Sequence, residues 1–187
     1  MLTSMILATT LLALNPADAS THNEFAVDDT AQPVRVDVEI DPIAYALEGF
    51  SLHVGLNKGR YRLDLGAFGL AMPEMIHGQD GFDASFAGFG GKFDVALNED
   101  GWGPFAGVEG GYTKLTIRDR ETSMSADDPA IGVGMRVGWR FGVADHFYVV
   151  PWVGVGYRFG SDVQVAGRVF ENNNITVFPT VHVGYRF

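Results

Sequence analysis

A serine, a histidine and a carboxylate lie close together in the first third of the chain. Ser51 and His53 are two residues apart, and Asp64 follows after one short turn. Residues two apart in an extended strand share a face, so Ser51 and His53 are expected to point the same way. These are the residue types of a nucleophilic hydrolase. The simpler interpretation makes His53 a hydrogen-bonded interior residue, and the sequence assigns no catalytic residue.

A larger set of ionisable residues recurs at every second position of apolar segments. The polar positions of these segments carry seven basic and six acidic residues, so a sealed interior would come close to electroneutrality. Buried charges need partners, which predicts a paired network that fills a lumen. The predicted lumen residues are Arg35, Asp37, Glu39, Asp41, His53, Arg62, Asp64, Lys92, Asp94, Glu109, Arg136, Arg140, Arg158, His182 and Arg186.

The turns between segments suggest which of these residues face one another. Counting back from each turn predicts cross-strand ion pairs and cation–π contacts. The predicted partners are Lys92 with Glu109, His53 with Asp64, Arg140 with Tyr148, and Arg136 with Trp152. Closure of a barrel would also bring Arg186 of the last strand towards Asp37 and Glu39 of the first.

Period-two alternation between turn signals predicts a strand in each of eight segments. The connections after the second, fourth and sixth strands are short and those after the third, fifth and seventh are longer, as in outer-membrane barrels. The fold class is therefore all-β: an eight-stranded antiparallel up-and-down transmembrane β-barrel. The predicted strands cover residues 34–41, 50–56, 61–70, 82–97, 104–117, 131–141, 147–159 and 175–187, the first resuming after Pro42 as far as Leu47.

Alternation alone does not say which face of the sheet is outside, because soluble barrels of the lipocalin or avidin type also alternate. Glycines on the polar face favour a narrow interior, where they make room for long neighbours. Charges of both signs on that face favour the same orientation. Aromatic residues on the apolar face collect at the strand ends, as a bilayer interface selects. They are Tyr61, Trp139, Phe141, Phe147, Tyr185 and Phe187 at one end, with Tyr157 and Phe159 at the other.

Composition excludes several classes of function. A net charge of −10 argues against nucleic acid as a partner. The absence of cysteine removes thiolate metal sites. His22, His77, His146 and His182 lack the spacing of metal ligands. We therefore expect neither a metal nor a cofactor. No apolar run approaches the roughly 18 residues of a membrane helix, so a membrane-spanning form has to be a closed barrel.

The N-terminal residues have the pattern of a secretory leader. An apolar stretch from Met5 to Leu14 precedes the small-residue sequence Ala17-Asp18-Ala19, although no lysine or arginine comes before it. We expect residues 1–19 to be a signal peptide, 20–33 a disordered periplasmic lead-in, and 34–187 the barrel.

The strand pattern, the leader and the ending Val181-His182-Val183-Gly184-Tyr185-Arg186-Phe187 resemble those of small outer-membrane β-barrel proteins, the type of the outer membrane protein A membrane domain. The resemblance implies a place in the outer membrane of a Gram-negative bacterium. It also implies that the barrel-assembly machinery reads Tyr185 and Phe187. The expected partners are outer-membrane lipid and lipopolysaccharide, and we expect a monomer.

Three functions remain open at this point. The first is a structural or surface-interaction role for a barrel whose lumen is filled by side chains, without enzymatic activity. The second is a narrow porin-like channel for ions or small solutes. The third is a hydrolase that modifies lipid A, with Ser51 as nucleophile, although the sequence carries no motif of that activity.

Overall fold

The computed structural model describes residues 32–187. The predicted signal peptide and all but the last two residues of the predicted lead-in lie outside this range. Among the described residues, no helix is both long enough and apolar enough to span a membrane.

Ten strands and two short helices make up the described chain. The first half contains β1 (Arg35–Ile40), α1 (Pro42–Ala46), β2 (Phe50–Lys58), β3 (Tyr61–Met72), α2 (Glu74–His77) and β4 (Phe82–Ala96). The second half contains β5 (Gly103–Asp119), β6 (Ser125–Gly142), β7 (Phe147–Arg158), β8 (Val163–Val165), β9 (Arg168–Phe170) and β10 (Ile175–Arg186).

Eight of these strands close into one antiparallel barrel, in the order β1-β10-β7-β6-β5-β4-β3-β2. A path through paired residues from Asp37 on β1 runs around the wall and reaches Thr176 on β10. Asp37 itself pairs with Arg186 on β10. The path therefore returns to β10 at a different residue from the one that pairs with Asp37. This stagger along β10 means that the strands are tilted relative to the barrel axis, as closure of a narrow barrel requires. The predicted fold class is confirmed.

The two ends of the barrel differ in their connections. The turn end carries the short connections β2–β3, β4–β5 and β6–β7, and the loop end carries α1, α2, the β5–β6 turn and the β8–β9 hairpin. Of the described strands, only β8 and β9 stand outside the barrel wall, as a separate two-stranded sheet.

The predicted resumption of the first strand as far as Leu47 is wrong, because Pro42 begins α1 instead. The side chain of Asp41 caps this helix by accepting a hydrogen bond from the Ile43 backbone N–H at 2.8 Å. Proline suits the first turn of a helix, where its missing N–H has no partner to lose. The first loop-end connection is therefore longer than the sequence suggested.

Two predicted loops also contain strand. Residues 118–129 lie between two predicted strands, but β5 extends to Asp119 and β6 begins at Ser125. The predicted loop 160–174 contains the β8–β9 hairpin, whose turn residues Ala166 and Gly167 both have positive φ. Such a pair is the requirement of a tight two-residue hairpin turn.

The outer surface of the wall is apolar, as the membrane orientation requires. Leu65 and Met135 on this surface are 63% and 70% exposed. Aromatic rings pack edge to face at both edges of the surface. At the turn end Tyr185 lies 5.0 Å from Phe147, and at the loop end Tyr157 lies 4.9 Å from Phe159. A soluble barrel would place polar residues on this face.

Several inward-facing glycines leave space for one large side chain each. A methyl group on Gly184 would lie 2.2 Å from Cζ of Tyr148, and one on Gly66 would lie 1.9 Å from Nδ1 of His53. The predicted role of glycine, room for long neighbours in a narrow interior, holds at these positions.

We therefore expect Gly184→Ala to lower the free energy of unfolding by about 1–3 kcal/mol, since the added methyl forces the buried Tyr148 ring to shift. Gly110→Ala is the control, because a methyl there has its nearest neighbour at 3.6 Å. Urea unfolding of both variants in micelles measures the difference in stability, with the folded fraction read from heat-modifiable gel mobility. Equal midpoints would contradict the steric argument.

Candidate functional site

The turn-end half of the lumen is filled by buried ionisable side chains, which we call the lumen network. Its members lie on β1, β2, β3, β4, β6 and β10, except for Asp41, which directly follows β1. Alternation places every one on the inner face of the wall. They are Asp37, Glu39, Asp41, His53, Arg62, Asp64, Lys92, Asp94, Arg136, Arg140, His182 and Arg186, each at most 9% exposed.

Arg62 is the centre of this network. Its Nη2 lies 2.7 Å from Asp37 Oδ1, 3.1 Å from Glu39 Oε1 and 2.9 Å from Asp64 Oδ2. One planar guanidinium therefore compensates three buried carboxylates, a role that its fork of donors allows. Arg62 is itself only 1% exposed, so water contributes little to its solvation.

Two histidines occupy the loop-end side of the network. His53 Nδ1 lies 2.9 Å from Asp64 Oδ1, and His182 Nδ1 lies 2.9 Å from Glu39 Oε2. The two imidazole rings are 5.0 Å apart. Lys92 joins this group, with its Nζ 3.2 Å from His53 Nδ1. Each ring is thereby oriented by a carboxylate, and the lumen cross-section here is occupied.

Asp94 anchors two further arginines. Arg136 donates to both carboxylate oxygens of Asp94 at 3.0 Å, a bidentate pair. Arg140 contacts the same carboxylate at 3.4 Å. Aromatic faces cover the guanidinium of Arg136, with Trp152 at 4.6 Å and Phe105 at 5.1 Å. These contacts combine ion pairing with cation–π attraction.

The turn end of the lumen is closed by a folded connection. Trp102, from the β4–β5 turn, lies at the turn end of the lumen with its ring 4.1 Å from the Arg186 guanidinium. Arg186 also donates to Asn57 Oδ1 at 3.3 Å, and Tyr148 donates to Glu39 at 2.9 Å. The sequence predicts that Arg186 approaches Asp37 and Glu39. In the β1–β10 register, Arg186 does pair with Asp37. Its side chain contacts Asn57, Trp102 and Tyr148.

The predicted cross-strand partners have mixed outcomes. Lys92 does face Glu109 in the β4–β5 register. The β2–β3 register is offset by two residues from the prediction, because Lys58 pairs directly with Tyr61 and the turn is tighter than expected. His53 nevertheless reaches Asp64 along the diagonal.

The β6–β7 register is likewise offset by two residues. Phe141 pairs with Val149, not with Phe147, so Arg136 faces Gly154 and not Trp152. The Arg136 guanidinium still reaches the Trp152 ring, because a long side chain spans the diagonal between neighbouring strands. The prediction that Arg140 faces Tyr148 is wrong, because Tyr148 pairs with Gly142. The Arg140 guanidinium donates to Gly101 O at 2.9 Å.

Three predicted lumen residues lie outside the network. Arg35 is exposed, because it is the first residue of β1 and stands where the wall ends. Arg158 stands at the last residue of β7, at the loop end, and pairs with Asp128 at 2.6 Å. Glu109 faces inward but makes no ion pair within the described residues, because Lys92 turns towards Asp64 and His53.

Ser51 does not complete a hydrolase. Its hydroxyl is buried and makes no hydrogen bond to any described residue, while His53 is engaged by Asp64 and Lys92. Ser51 is 1% exposed inside the wall, whereas lipid contacts the outside. Nucleophile and base need a mutual hydrogen bond for this chemistry.

An apolar core lies at the loop end, beyond the lipid-facing part of the wall. The β8–β9 hairpin folds against the inner faces of β4, β5 and β6, and we call this unit the outer cap. Its buried residues are Phe82, Ala84, Leu115, Ile117, Val163, Val165 and Phe170. The Phe170 ring packs edge-on against Phe82 at 5.6 Å.

Polar contacts fasten the outer cap to the barrel. Arg168 pairs with Asp119 at 2.9 Å, and its guanidinium lies 4.4 Å above the Phe82 ring. Gln79 exchanges two hydrogen bonds with the Glu171 backbone, at 2.8 and 2.9 Å. The Thr122 backbone N–H donates to Asp119 at 2.8 Å and fixes the β5–β6 turn beside this ion pair. The loop end is thus a folded surface.

Some of these residues escaped sequence reasoning. Asn57 was assigned to a turn, although it continues the inward series of Ser51, His53 and Gly55 and donates to Asp37 at 2.5 Å. The alternation Val163-Gln164-Val165 followed by Ala166-Gly167 was a usable hairpin signal. No local pattern predicted the ion pair of Arg168, because its partner Asp119 is 49 residues away.

Comparison with known proteins agrees with this architecture. No protein-family model matches the chain, and no curated protein matches it by sequence. Among solved structures, Neisserial surface protein A aligns with a TM-score of 0.51 and 13% identity, over 82% of this chain and 94% of its own. A major outer membrane protein from Thermus thermophilus aligns with a TM-score of 0.52 and 13% identity, over 83% and 100%.

The closed eight-stranded sheet, its apolar belt and these two neighbours define the class of small outer-membrane β-barrels. The sequence prediction of this class is confirmed. One of these two neighbours is named as an outer membrane protein. At 13% identity the likeness is one of fold.

Proposed function

We propose that the protein is a structural and surface-interaction barrel of the outer membrane, with a non-conducting lumen and no catalytic role. The observation that carries the proposal is the burial of the lumen network. Arg62, Asp37, Asp64 and Arg136 are each at most 2% exposed, and ion pairs link the network across the barrel. Side chains in such contact leave no continuous path for a hydrated ion.

The outer cap supports the surface-interaction part of this proposal. It has its own apolar core beyond the lipid-facing belt, and the Arg168–Asp119 ion pair and the Gln79–Glu171 hydrogen bonds hold its shape. Met75, Ile76 and Met124 stand exposed on the same end of the molecule, on α2 and the β5–β6 turn. A rigid surface with apolar side chains suits recognition better than mobile loops do, because little conformational entropy is lost on binding.

The expected partners follow from the surface and from the resemblance to small outer-membrane barrels. Lipid and lipopolysaccharide acyl chains would cover the apolar belt. Tyr185 and Phe187, whose rings lie 5.0 Å apart at the turn end, would be read by the barrel-assembly machinery. The apolar belt needs no second copy to cover it in a bilayer, so we propose a monomer.

We expect the purified protein to give no discrete current steps in planar bilayers at neutral pH, because the lumen network blocks the pore. The control is a porin of known conductance inserted under the same conditions. Discrete steps from the wild type whose size changes in the Arg62→Ser and Arg136→Ser variants would contradict the proposal. That result would establish instead the narrow channel, the second function that the sequence left open.

A further inference from the structure

Two neighbouring connections at the loop end carry exposed large apolar side chains. Met75 and Ile76 on α2 are 90% and 63% exposed, and Met124 in the β5–β6 turn is 57% exposed. We call these three residues the loop-end patch. No residue of α2 is buried, so this helix adds nothing to the apolar core of the outer cap. Grouped apolar side chains on a surface mark an interaction site, whereas single ones are ordinary.

One arginine ties the two connections to each other. Arg120, in the same turn as Met124, pairs with Glu74 of α2 and with Asp83 near the start of β4, both at 2.6 Å. Its backbone N–H also donates to Gly81 O at 3.0 Å. The helix and the turn therefore lie side by side in a fixed arrangement. A partner would meet a patch that is already formed, which lowers the entropy cost of binding.

Each connection is also anchored on its own. In the β5–β6 turn, the Asp119 N–H donates to Met124 O and the Ser123 N–H donates to Asp119 O, both at 2.9 Å. At the end of α2, the His77 ring lies 5.5 Å from the Phe170 ring of the outer cap. The backbone beneath the patch is thus held in place, while its apolar side chains stay uncovered.

The lipid-facing belt ends before the β5–β6 turn. On the outward face of β5, Tyr112 belongs to the aromatic edge of the belt, with its ring 5.7 Å from Phe89. Lys114 and Thr116 follow on the same face, and both bind Asp127 of β6, at 3.1 and 2.7 Å. This polar band separates the belt from the turn, because charged side chains lie outside the hydrocarbon region. The patch therefore has no cover from acyl chains.

The surroundings of the patch carry more acidic than basic groups. The carboxylates are Glu74, Asp80, Asp83, Asp119 and Glu121, and the guanidiniums are Arg118, Arg120 and Arg168. Asp80 and Glu121 form no ion pair with any residue in the range 32–187. The adjacent Glu74 carboxylate, by hydrogen bonding and by its charge, raises the pKa of Asp80. A positive charge supplied by a partner would relieve this repulsion.

We propose that the loop-end patch docks a cationic amphipathic segment of a protein or peptide, in which lysine or arginine flanks apolar residues. The apolar residues would cover Met75, Ile76 and Met124, and the basic groups would lie near Asp80 and Glu121. Methionine side chains adapt to apolar partners of different shape. Complementary charge adds specificity and speeds association. The inference rests on the proposed surface-interaction role and names the kind of partner.

Lipopolysaccharide fits this surface less well. Its phosphates carry the same sign of charge as Asp80 and Glu121, so close approach is opposed by Coulomb repulsion. A cationic polypeptide is attracted by the same two carboxylates.

The test uses the full chain in nanodiscs of zwitterionic phosphatidylcholine. The probe is a labelled synthetic peptide in which lysines alternate with pairs of leucines. Fluorescence anisotropy measures binding above that of empty nanodiscs, and the methyl NMR signals of Met75 and Met124 report its place. We expect saturable binding with shifts at both methyls. Peptides with glutamate in place of lysine, or serine in place of leucine, should bind at least tenfold more weakly.

Two double variants separate the apolar and the charged parts of the surface. Met75→Ser with Ile76→Ser removes apolar contact, and Asp80→Asn with Glu121→Gln removes charge. All four side chains are exposed, so heat-modifiable mobility should not change. We expect the first pair to weaken binding of the probe at least tenfold and the second at least fivefold.

The matched controls are Val143→Ser and Asp145→Asn, both exposed in the β6–β7 turn at the opposite end. We expect them to bind like the wild type. The inference is overturned if the wild type binds no better than empty nanodiscs at about 1 mM peptide. Equal binding by patch variants and controls, or the same methyl shifts with lipopolysaccharide, would overturn it too. A folded, non-conducting barrel that fails to bind the peptide would leave the non-conducting lumen in place, whereas discrete currents would contradict the proposed function itself.

Discussion

Replacement of Arg62 by alanine is expected to lower the free energy of unfolding by about 3–5 kcal/mol. The reason is that its guanidinium compensates Asp37, Glu39 and Asp64 at distances of 2.7–3.1 Å inside the wall. Removing one partner of a buried ion pair leaves the other charge buried and uncompensated, which is strongly destabilising. Replacing the whole pair by apolar residues would change stability far less. Urea or guanidinium unfolding in micelles, followed by tryptophan fluorescence, measures the change.

Arg60→Ala is the matched control, two residues along the same segment. Arg60 forms an ion pair with Glu99 at 3.2 Å, and the two side chains are 38% and 82% exposed, respectively. Exposed pairs of this kind contribute at most about 1 kcal/mol. If both variants lost the same stability, the lumen network would not be the element that holds the barrel together.

The second large effect is expected at the outer cap. Phe170→Ala should release the β8–β9 hairpin while the barrel stays folded. Phe170 is 3% exposed and packs against Phe82 at 5.6 Å. Truncating a buried phenylalanine costs about 3–5 kcal/mol. A two-stranded hairpin is at best marginally stable alone, so the cost should appear as local opening.

Limited proteolysis within residues 160–174 and amide hydrogen exchange on β8 and β9 measure this opening. Heat-modifiable mobility serves as the measure of the barrel itself. Val169→Ala is the control, because the neighbouring Val169 points outward and is 49% exposed. Unchanged protection of the hairpin in Phe170→Ala would contradict the interpretation of the cap as a unit held by its apolar core.

The barrel was predictable because its signal is local and repeated. From Ile131 to Phe141 every second residue is apolar, and the intervening positions are glycine or arginine. A period of two assigns each side chain to a face without any knowledge of partners. The same signal was lost at Pro42, where the first turn of a helix tolerates the residue that a strand excludes.

The register between strands was less predictable, because it depends on turn length. A difference of two residues keeps every side chain on its predicted face but changes its partner. That is why His53 and Arg136 point into the lumen as expected while facing Gly66 and Gly154 across the strands. Long side chains then restored two of the expected contacts along diagonals.

The sequence by itself determined which face of each strand is charged and which is apolar, and with it the barrel and its membrane setting. Tertiary structure alone decided that Arg62 gathers three carboxylates, that Lys92 leaves Glu109 for Asp64, and that β8–β9 folds inward. The physical reason is distance along the chain. Facing is fixed by neighbours one or two residues away, whereas each of these choices depends on which residues closure and stagger bring together across the lumen.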